Sequence, residues 1–334
     1  AADLVGVKSI RAVSGLPGFK ISEQPALAAG KIRYVGELVA MCVAGSRAEA
    51  EDVAGAVALD IEELPAVSDM LAARRADAPL LHEPWGDNVF LETLVDADVA
   101  SVAETAPILV TREIRTARQC MAPIEGRGVV AYWDGQLEQL TLYSATQMPH
   151  IVRTGLSECL GLEQGQVRVV APDVGGGFGY KGILLPEEVC VAWLAMRMGR
   201  PVRWIEDRRE HLTTSANCRE HHYRITAYAD RDGKLLALDC EATVDSGAYS
   251  SYPFSACLEA AQVASNLPGP YDFPVYRCHT FSVATNKCPI LPYRGVARTG
   301  VCFAMELTMD AIARAAGLEP YEVRLRNLVR PEQM

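Results

Sequence analysis

The chain has no closely spaced cysteine pair. Its ten cysteines, Cys42, Cys120, Cys159, Cys190, Cys218, Cys240, Cys257, Cys278, Cys288 and Cys302, are scattered singly. Without a Cys-x-x-Cys spacing, a zinc ribbon, a thioredoxin-type motif and a chain-borne iron–sulfur cluster are not expected. Isolated cysteines read as reduced, small buried hydrophobes, which favours a reducing compartment. Histidine is scarce, at six residues. His150 has no second His or Cys at helical or hairpin spacing. His221 and His222, neighbours on a strand, point to opposite faces and make a poor chelate. A metal held by protein side chains is therefore not expected. There is no excess of basic residues. The net charge is −10, and Lys and Arg are interspersed with acids, which argues against a nucleic-acid surface. No apolar run approaches the roughly 20 residues of a membrane span, and no charged-then-apolar leader is read at the N-terminus. Internal repeats and low-complexity segments are also missing.

A length of 334 residues suits about two domains. In the first third, the apolar run 37–44 reads as a strand. Ser46 caps a helix from Arg47 to about Gly55, and the alternating stretch 59–67 reads as a second strand. The Pro- and Gly-punctuated stretch after it places a boundary near residue 97, giving units 1–96 and 97–334. The second unit is richer in strands. Residues 129–133 and 137–143 flank the turn Asp134-Gly135, and 223–228 and 234–244 flank Asp230–Gly233. A helix starts at Pro186, carries Glu187 and Glu188 in its first turn, and stops at Gly199. Another runs from about Phe303 to Ala316, before Gly317.

The most distinctive stretch is Asp173-Val174-Gly175-Gly176-Gly177-Phe178-Gly179-Tyr180-Lys181, which follows a strand over 167–172. Glycines at this density let backbone N–H groups approach a ligand closely. Residues 177–182 formally match the dinucleotide fingerprint G-x-G-x-x-G, and Glu206 and Asp207 end the next strand. In that fingerprint the third glycine lies inside the helix that faces the pyrophosphate. Here Pro186 starts the helix several residues later, which counts against a nicotinamide dehydrogenase. A second feature is Ser144-Ala145-Thr146-Gln147-Met148-Pro149-His150, where Gln147 offers a neutral amide with one acceptor and two donors. In isolation it also reads as a satisfied turn residue. A third is 289–298, where Arg294 and Arg298 lead into an apolar helix and can face an anion. The alternative is that Arg294 pairs with a carboxylate and Arg298 is solvated.

Taken together, these segments resemble the molybdenum hydroxylases of the xanthine dehydrogenase/aldehyde oxidase family, in their large, molybdopterin-binding subunit. The residues that carry the resemblance occur in the family's order. They are Gln147 in its Ser-Ala-Thr-Gln-Met-Pro-His context, the loop from Ala171 to Gly179, Trp204-Ile-Glu-Asp-Arg-Arg-Glu-His-Leu, Asp245-Ser-Gly-Ala-Tyr and Pro292-Tyr-Arg-Gly. Upstream, Ile32-Arg-Tyr-Val-Gly-Glu-Leu-Val-Ala and Leu81-His-Glu-Pro-Trp-Gly-Asp-Asn look like part of an α/β-hammerhead domain. The resemblance covers nearly the whole chain. It implies an α+β fold: a partial hammerhead over 1–96, then the first molybdopterin-binding domain over 97–334.

The resemblance implies that Gln147 meets the apical ligand of a molybdenum centre and that Phe178 and Gly179 approach an oxo ligand. Gly176 and Gly177 would line the cofactor, and Arg294 would lie near the substrate pocket. The metal would be held by the pterin dithiolene, with the protein supplying orientation and electrostatics. The reaction class implied is hydroxylation of an N-heterocycle or aldehyde with water as oxygen source. The cofactor would be molybdopterin, in its cytosine dinucleotide form. A 2Fe-2S cluster and FAD would sit on an iron–sulfur subunit and an FAD subunit.

A cytoplasmic location fits, or a periplasmic one if a partner carries the export signal. The family's large subunits continue beyond the segment matching Arg324-Leu-Arg-Asn-Leu-Val and supply a glutamate base there. The chain is therefore expected to be a fragment or one half of a split subunit, incomplete alone. A non-catalytic cofactor-binding half is the alternative. Lys181 is followed by Gly182 rather than the glutamate of some purine-oxidising members, and Arg294 by Gly295 rather than the cysteine of carbon monoxide-oxidising members. Both lower the odds of those substrates. Residues 296–300 also depart from the commoner family pattern, so the pocket near Arg298 is expected to differ.

Overall fold

The computed structural model describes residues 2–333 apart from Ala216. Its larger sheet has five strands: β1 (Val89–Val95), β2 (Ile108–Thr116), β9 (His221–Ala229), β10 (Leu235–Asp245) and β11 (Val275–Val283). Their order is β1-β11-β10-β9-β2, antiparallel throughout except for the parallel pair β10/β11. Alternate residues of β9 and β10, among them Tyr223, Ile225, Leu238 and Ala242, face one side and are buried. The helices Leu258–Asn266 and Arg298–Ala316 cover that side through Val263, Val301, Met305 and Ile312. The Asp230–Gly233 turn joins β9 to β10 as expected, with Gly233 at φ +75°.

The smaller sheet positions the glycine loop and Gln147. It is built from β4 (Gly128–Asp134), β5 (Gln139–Ser144), β6 (Val167–Val170) and β7 (Val202–Ile205), in the order β6-β5-β4-β7. A two-stranded ribbon, β3 (Gln119–Cys120) with β8 (Asn217–Cys218), is separate from both sheets. The helices Pro149–Leu160 and Pro186–Met198 bury Leu156, Val189 and Ala192 against Val129, Leu140 and Leu142. The second helix starts at Pro186 and ends at Gly199, at φ +59°. β5 and β6 run parallel, with Tyr143 beside Val170. Segments leaving their C-terminal ends therefore emerge side by side, which brings 144–148 next to 171–182.

The first third departs from expectation. The helix Arg47–Gly55 forms, with Ser46 accepting from the Glu49 N–H. Neither 37–44 nor 59–67 forms a strand. A strand needs a ladder of hydrogen bonds to a neighbour, and these segments receive only isolated ones, from the Ala28 N–H to the Leu38 carbonyl at 2.6 Å and from the Asn286 N–H to the Val67 carbonyl at 2.8 Å. Leu38 and Met41 pack on the smaller sheet's core instead, while residues 51–66 are exposed on every face. β1, at residues 89–95, pairs with β11 and so belongs to the larger sheet. Seven of the ten cysteines are buried as expected, and all ten are free thiols. Among the described residues no helix is long and apolar enough to cross a membrane.

Candidate functional site

The glycine loop folds back on itself. Tyr180 N–H donates to the Gly177 carbonyl at 2.9 Å, and Gly182 N–H to the Gly179 carbonyl at 3.0 Å. The chain turns at left-handed residues: Gly176 at φ +91°, Phe178 at +54° and Gly179 at +107°. Gly179 is required by contact as well as by φ, because a Cβ there would fall onto the Pro292 carbonyl oxygen. At Gly177 a Cβ would collide with the Gln147 side chain. Among the described residues, the N–H groups of Gly176, Gly177 and Phe178 have no acceptor. Three successive donors are thus left for something outside the chain, as in backbone anion concavities.

Gln147 is fixed at both ends. Its N–H donates to the Lys181 carbonyl at 2.8 Å. Its side-chain Oε1 accepts from the Gly179 N–H at 2.9 Å. This uses the amide's acceptor and leaves the two Nε2 donors, on an exposed residue, without a partner among the described residues.

Arg294 joins the site through its backbone. Its N–H donates to the Phe178 carbonyl at 2.8 Å, so 292–294 lie directly against 178–179. Its side chain is exposed, and no carboxylate pairs with it among the described residues. Arg298 is placed elsewhere: its Nη1 donates to Gln262 Oε1 at 3.0 Å. The turn carrying Arg294 is held from below by Arg219, a residue the sequence reading missed. Arg219 is buried, its guanidinium stacks on Tyr293 at 4.2 Å, and it donates to the carbonyls of Tyr293, Arg294 and Val296.

A buried polar network supports the loop from behind. Tyr180 is fully buried and its hydroxyl donates to Glu206. Glu206 also pairs with Arg127 at 3.0 Å and with His211 Nδ1 at 3.1 Å. Burial opposes ionisation of Glu206, but the His211 hydrogen bond, the Arg127 charge and the Tyr180 hydroxyl outweigh it and hold the carboxyl well below the usual range. Glu188 shows the opposite balance. Burial pushes it up to about 7, against hydrogen bonds from Ser144 Oγ, at 2.6 Å, and from the Leu185 N–H. Glu188, Glu206 and His211 lie in the predicted segments 186–199 and 204–212, and Tyr180 in the glycine loop, but nothing in their spacing marked them as one network with Arg127.

His150 is exposed. His221 and His222 diverge as expected, to Glu259 at 2.6 Å and Glu113 at 2.8 Å. Among the described residues no group of three His, Cys, Asp or Glu side chains could hold a metal. The dinucleotide pattern over 177–182 lies in turns, ahead of the helix that starts at Pro186. The donors gathered here are an amide NH₂, a row of backbone N–H groups and a guanidinium. That set suits the oxygen ligands and anionic parts of a group that brings its own metal ligands, and not a bare cation.

Fold and site thus define an α+β domain that presents a preorganised face of neutral and cationic donors. The chain belongs to the family described as "Molybdopterin cofactor-binding domain", whose model matches residues 81–328. Nicotine 6-hydroxylase large subunit from Paenarthrobacter nicotinovorans is 36% identical over 315 residues, which is 94% of this chain and 38% of that one. Nicotinate dehydrogenase large molybdopterin subunit from Eubacterium barkeri is 30% identical, over 96% of this chain and 76% of that one. The crystal structure of quinoline 2-oxidoreductase from Pseudomonas putida 86 superposes with a TM-score of 0.96 at 38% identity, covering all of this chain and 42% of that one. The chain therefore spans about two fifths of the length of the first and third of these relatives.

Proposed function

We propose that the chain is the part of a molybdenum-dependent oxidoreductase that presents the metal's oxygen ligands and one wall of the substrate pocket. The Gln147–Gly179 hydrogen bond carries this reading. It orients the amide so that Nε2 joins the N–H groups of Gly176, Gly177 and Phe178 as donors with no acceptor among the described residues. When bound, molybdopterin supplies a redox centre that takes two electrons as a substrate carbon gains oxygen from water. Gln147, Gly176, Gly177, Phe178 and Gly179 hold the cofactor's polar edge. Donors fixed before the reaction stabilise developing negative charge without reorganisation. Arg294, tied to Phe178, orients a polar or anionic part of the substrate.

The substrate class we favour is the N-heteroaromatic, since nicotine, nicotinate and quinoline name the relatives above. An aldehyde is the second reading, favoured by the aldehyde oxidoreductase of Megalodesulfovibrio gigas, 31% identical over 97% of this chain. The cytosine dinucleotide form of the cofactor, and an iron–sulfur and an FAD subunit as electron acceptors, belong to the same proposal. So do the rest of the large subunit as the source of the glutamate base, and a cytoplasmic setting. We also propose a hammerhead unit that ends within about ten residues of 97. The pairing of β1 favours the upstream side of that interval.

The test is metal analysis and turnover of the complex purified from its source. About one molybdenum per chain is expected, with a heteroaromatic hydroxylated faster than an aldehyde. An active complex without molybdenum contradicts the proposal. Faster turnover of aldehydes moves it to the second reading.

A further inference from the structure

The two halves of the site meet at one buried lysine. Lys181 is 2% exposed, and its side chain is wholly enclosed. Its carbonyl accepts from the Gln147 N–H at 2.8 Å and from Thr146 Oγ1 at 3.0 Å. Its ammonium reaches Glu125 Oε2 at 2.5 Å. The same oxygen accepts from the Gly175 N–H at 2.7 Å, and the Glu125 N–H donates back to the Gly175 carbonyl at 3.3 Å. One carboxylate oxygen therefore joins the first glycine of the loop to the lysine that ends it, six residues on, and that lysine carries Gln147. A Cβ at Gly175 would collide with the Glu125 side chain, so the glycine is fitted to this clamp.

We propose that Glu125 and Lys181 are positioning residues: their ion pair closes the glycine loop and sets Gln147 and the free N–H row at cofactor-ready geometry. The inference rests on the reading of that face as the molybdopterin side of the site. The Lys181 ammonium is enclosed and paired with Glu125, whose carboxylate is held on the Gly175 N–H, so each acts through the groups it holds. Both ends of the loop are left-handed or irregular backbone, and no helix or strand fixes them. Misplacement by an ångström of groups that orient a reaction can cost 100-fold in rate.

The test uses the assembled complex and the double variant E125A/K181M. It removes the clamp without leaving a buried ammonium unpaired, which avoids the main cost of the single Glu125 variant. Three quantities are read: molybdenum per chain, amide hydrogen exchange across residues 173–182, and the split between kcat and KM. The expected result is molybdenum within twofold of wild type, exchange at least about tenfold faster, kcat at least about tenfold lower and KM changed less than about threefold. Loss of molybdenum from a folded variant supports the same role at the stage of holding the cofactor. Exchange and kcat both within twofold of wild type overturn the inference. If the double variant does not fold, E125Q decides. Its amide still accepts from Gly175 but loses the charge pair, so a several-fold fall in kcat with faster exchange supports the clamp, and no change overturns it. A wild-type complex that turns over without molybdenum sinks the reading of the site instead, and amide exchange then judges the clamp by itself.

Discussion

Residues 173–182 and residues 56–66 both lack helix and strand, and both reach the surface. In the first, each turn is closed by a hydrogen bond, Tyr180 and Lys181 are buried anchors, and the glycines fit around Gln147, Glu125 and Pro292. In the second, Leu59, Ile61 and Leu64 are 54–57% exposed, and among the described residues the backbone of 59–66 makes no hydrogen bond. Irregular backbone is thus of two kinds here. One is fixed by its surroundings, which permits a preorganised site. The other has a strand-like pattern without a neighbour to pair with.

The sharpest way to break this contrast is Gly179→Ala. The left-handed φ and the Pro292 carbonyl both oppose a Cβ, so the cost should be roughly 3 kcal/mol or more. A denaturation midpoint unchanged from wild type would show that the loop is as permissive as 56–66.

Glu188 tests the support beneath Gln147 by pH. Its folded pKa of about 7 exceeds the ordinary 4.5. Between these values the folded state keeps a proton that the unfolded state releases. The contribution is therefore full below pH 4.5 and is lost as pH rises through about 7, by an amount on the order of 3 kcal/mol. Glu188→Gln should accordingly gain thermal stability relative to wild type between pH 5 and pH 8. A pH-independent difference would place the group's pKa elsewhere.

Gln147→Ala should separate function from folding. Removing a preorganised donor costs on the order of 100-fold in turnover, while an exposed side chain costs about 1 kcal/mol or less in stability. Equal losses in kinetics and calorimetry would return Gln147 to a turn role. The smallest effect is expected from Ile61→Lys, within about 0.5 kcal/mol of wild type. A larger loss would mean that 56–66 packs against something after all.

Much of the fold was legible because local signals and tertiary partners agreed. The turns at Asp134-Gly135 and Asp230–Gly233, Pro186 with its acidic first turn, and Gly199 all mark elements that form. The helix ending at Ala316 begins at Arg298, five residues before the position its apolar pattern suggested. The strands 37–44 and 59–67 failed because apolar pattern reports a wish for burial, not the presence of a neighbour. Within the site, glycine density and the ordered motifs brought Gln147, Gly176, Gly177, Phe178, Gly179 and Arg294 to attention, and the structure places them together. Of the supports, Glu125, Arg127 and Arg219 drew no reading, Glu206 was weighed only against the dinucleotide pattern, and Lys181 only as the end of the glycine loop. A buried ion pair is made by residues distant in the chain, such as Lys181 and Glu125, 56 positions apart. Only one hint was available in the sequence: a lysine directly after a glycine loop is costly to bury without a partner.

In the function proposed above, the loop, Gln147 and Arg294 form the molybdenum-facing side of this domain. Anomalous scattering at the molybdenum edge from crystals of the assembled complex tests it directly. One peak per chain is expected, beside the Gln147 amide and the Phe178–Gly179 peptide. An active complex whose peak lies away from those groups, or that shows none, would contradict it.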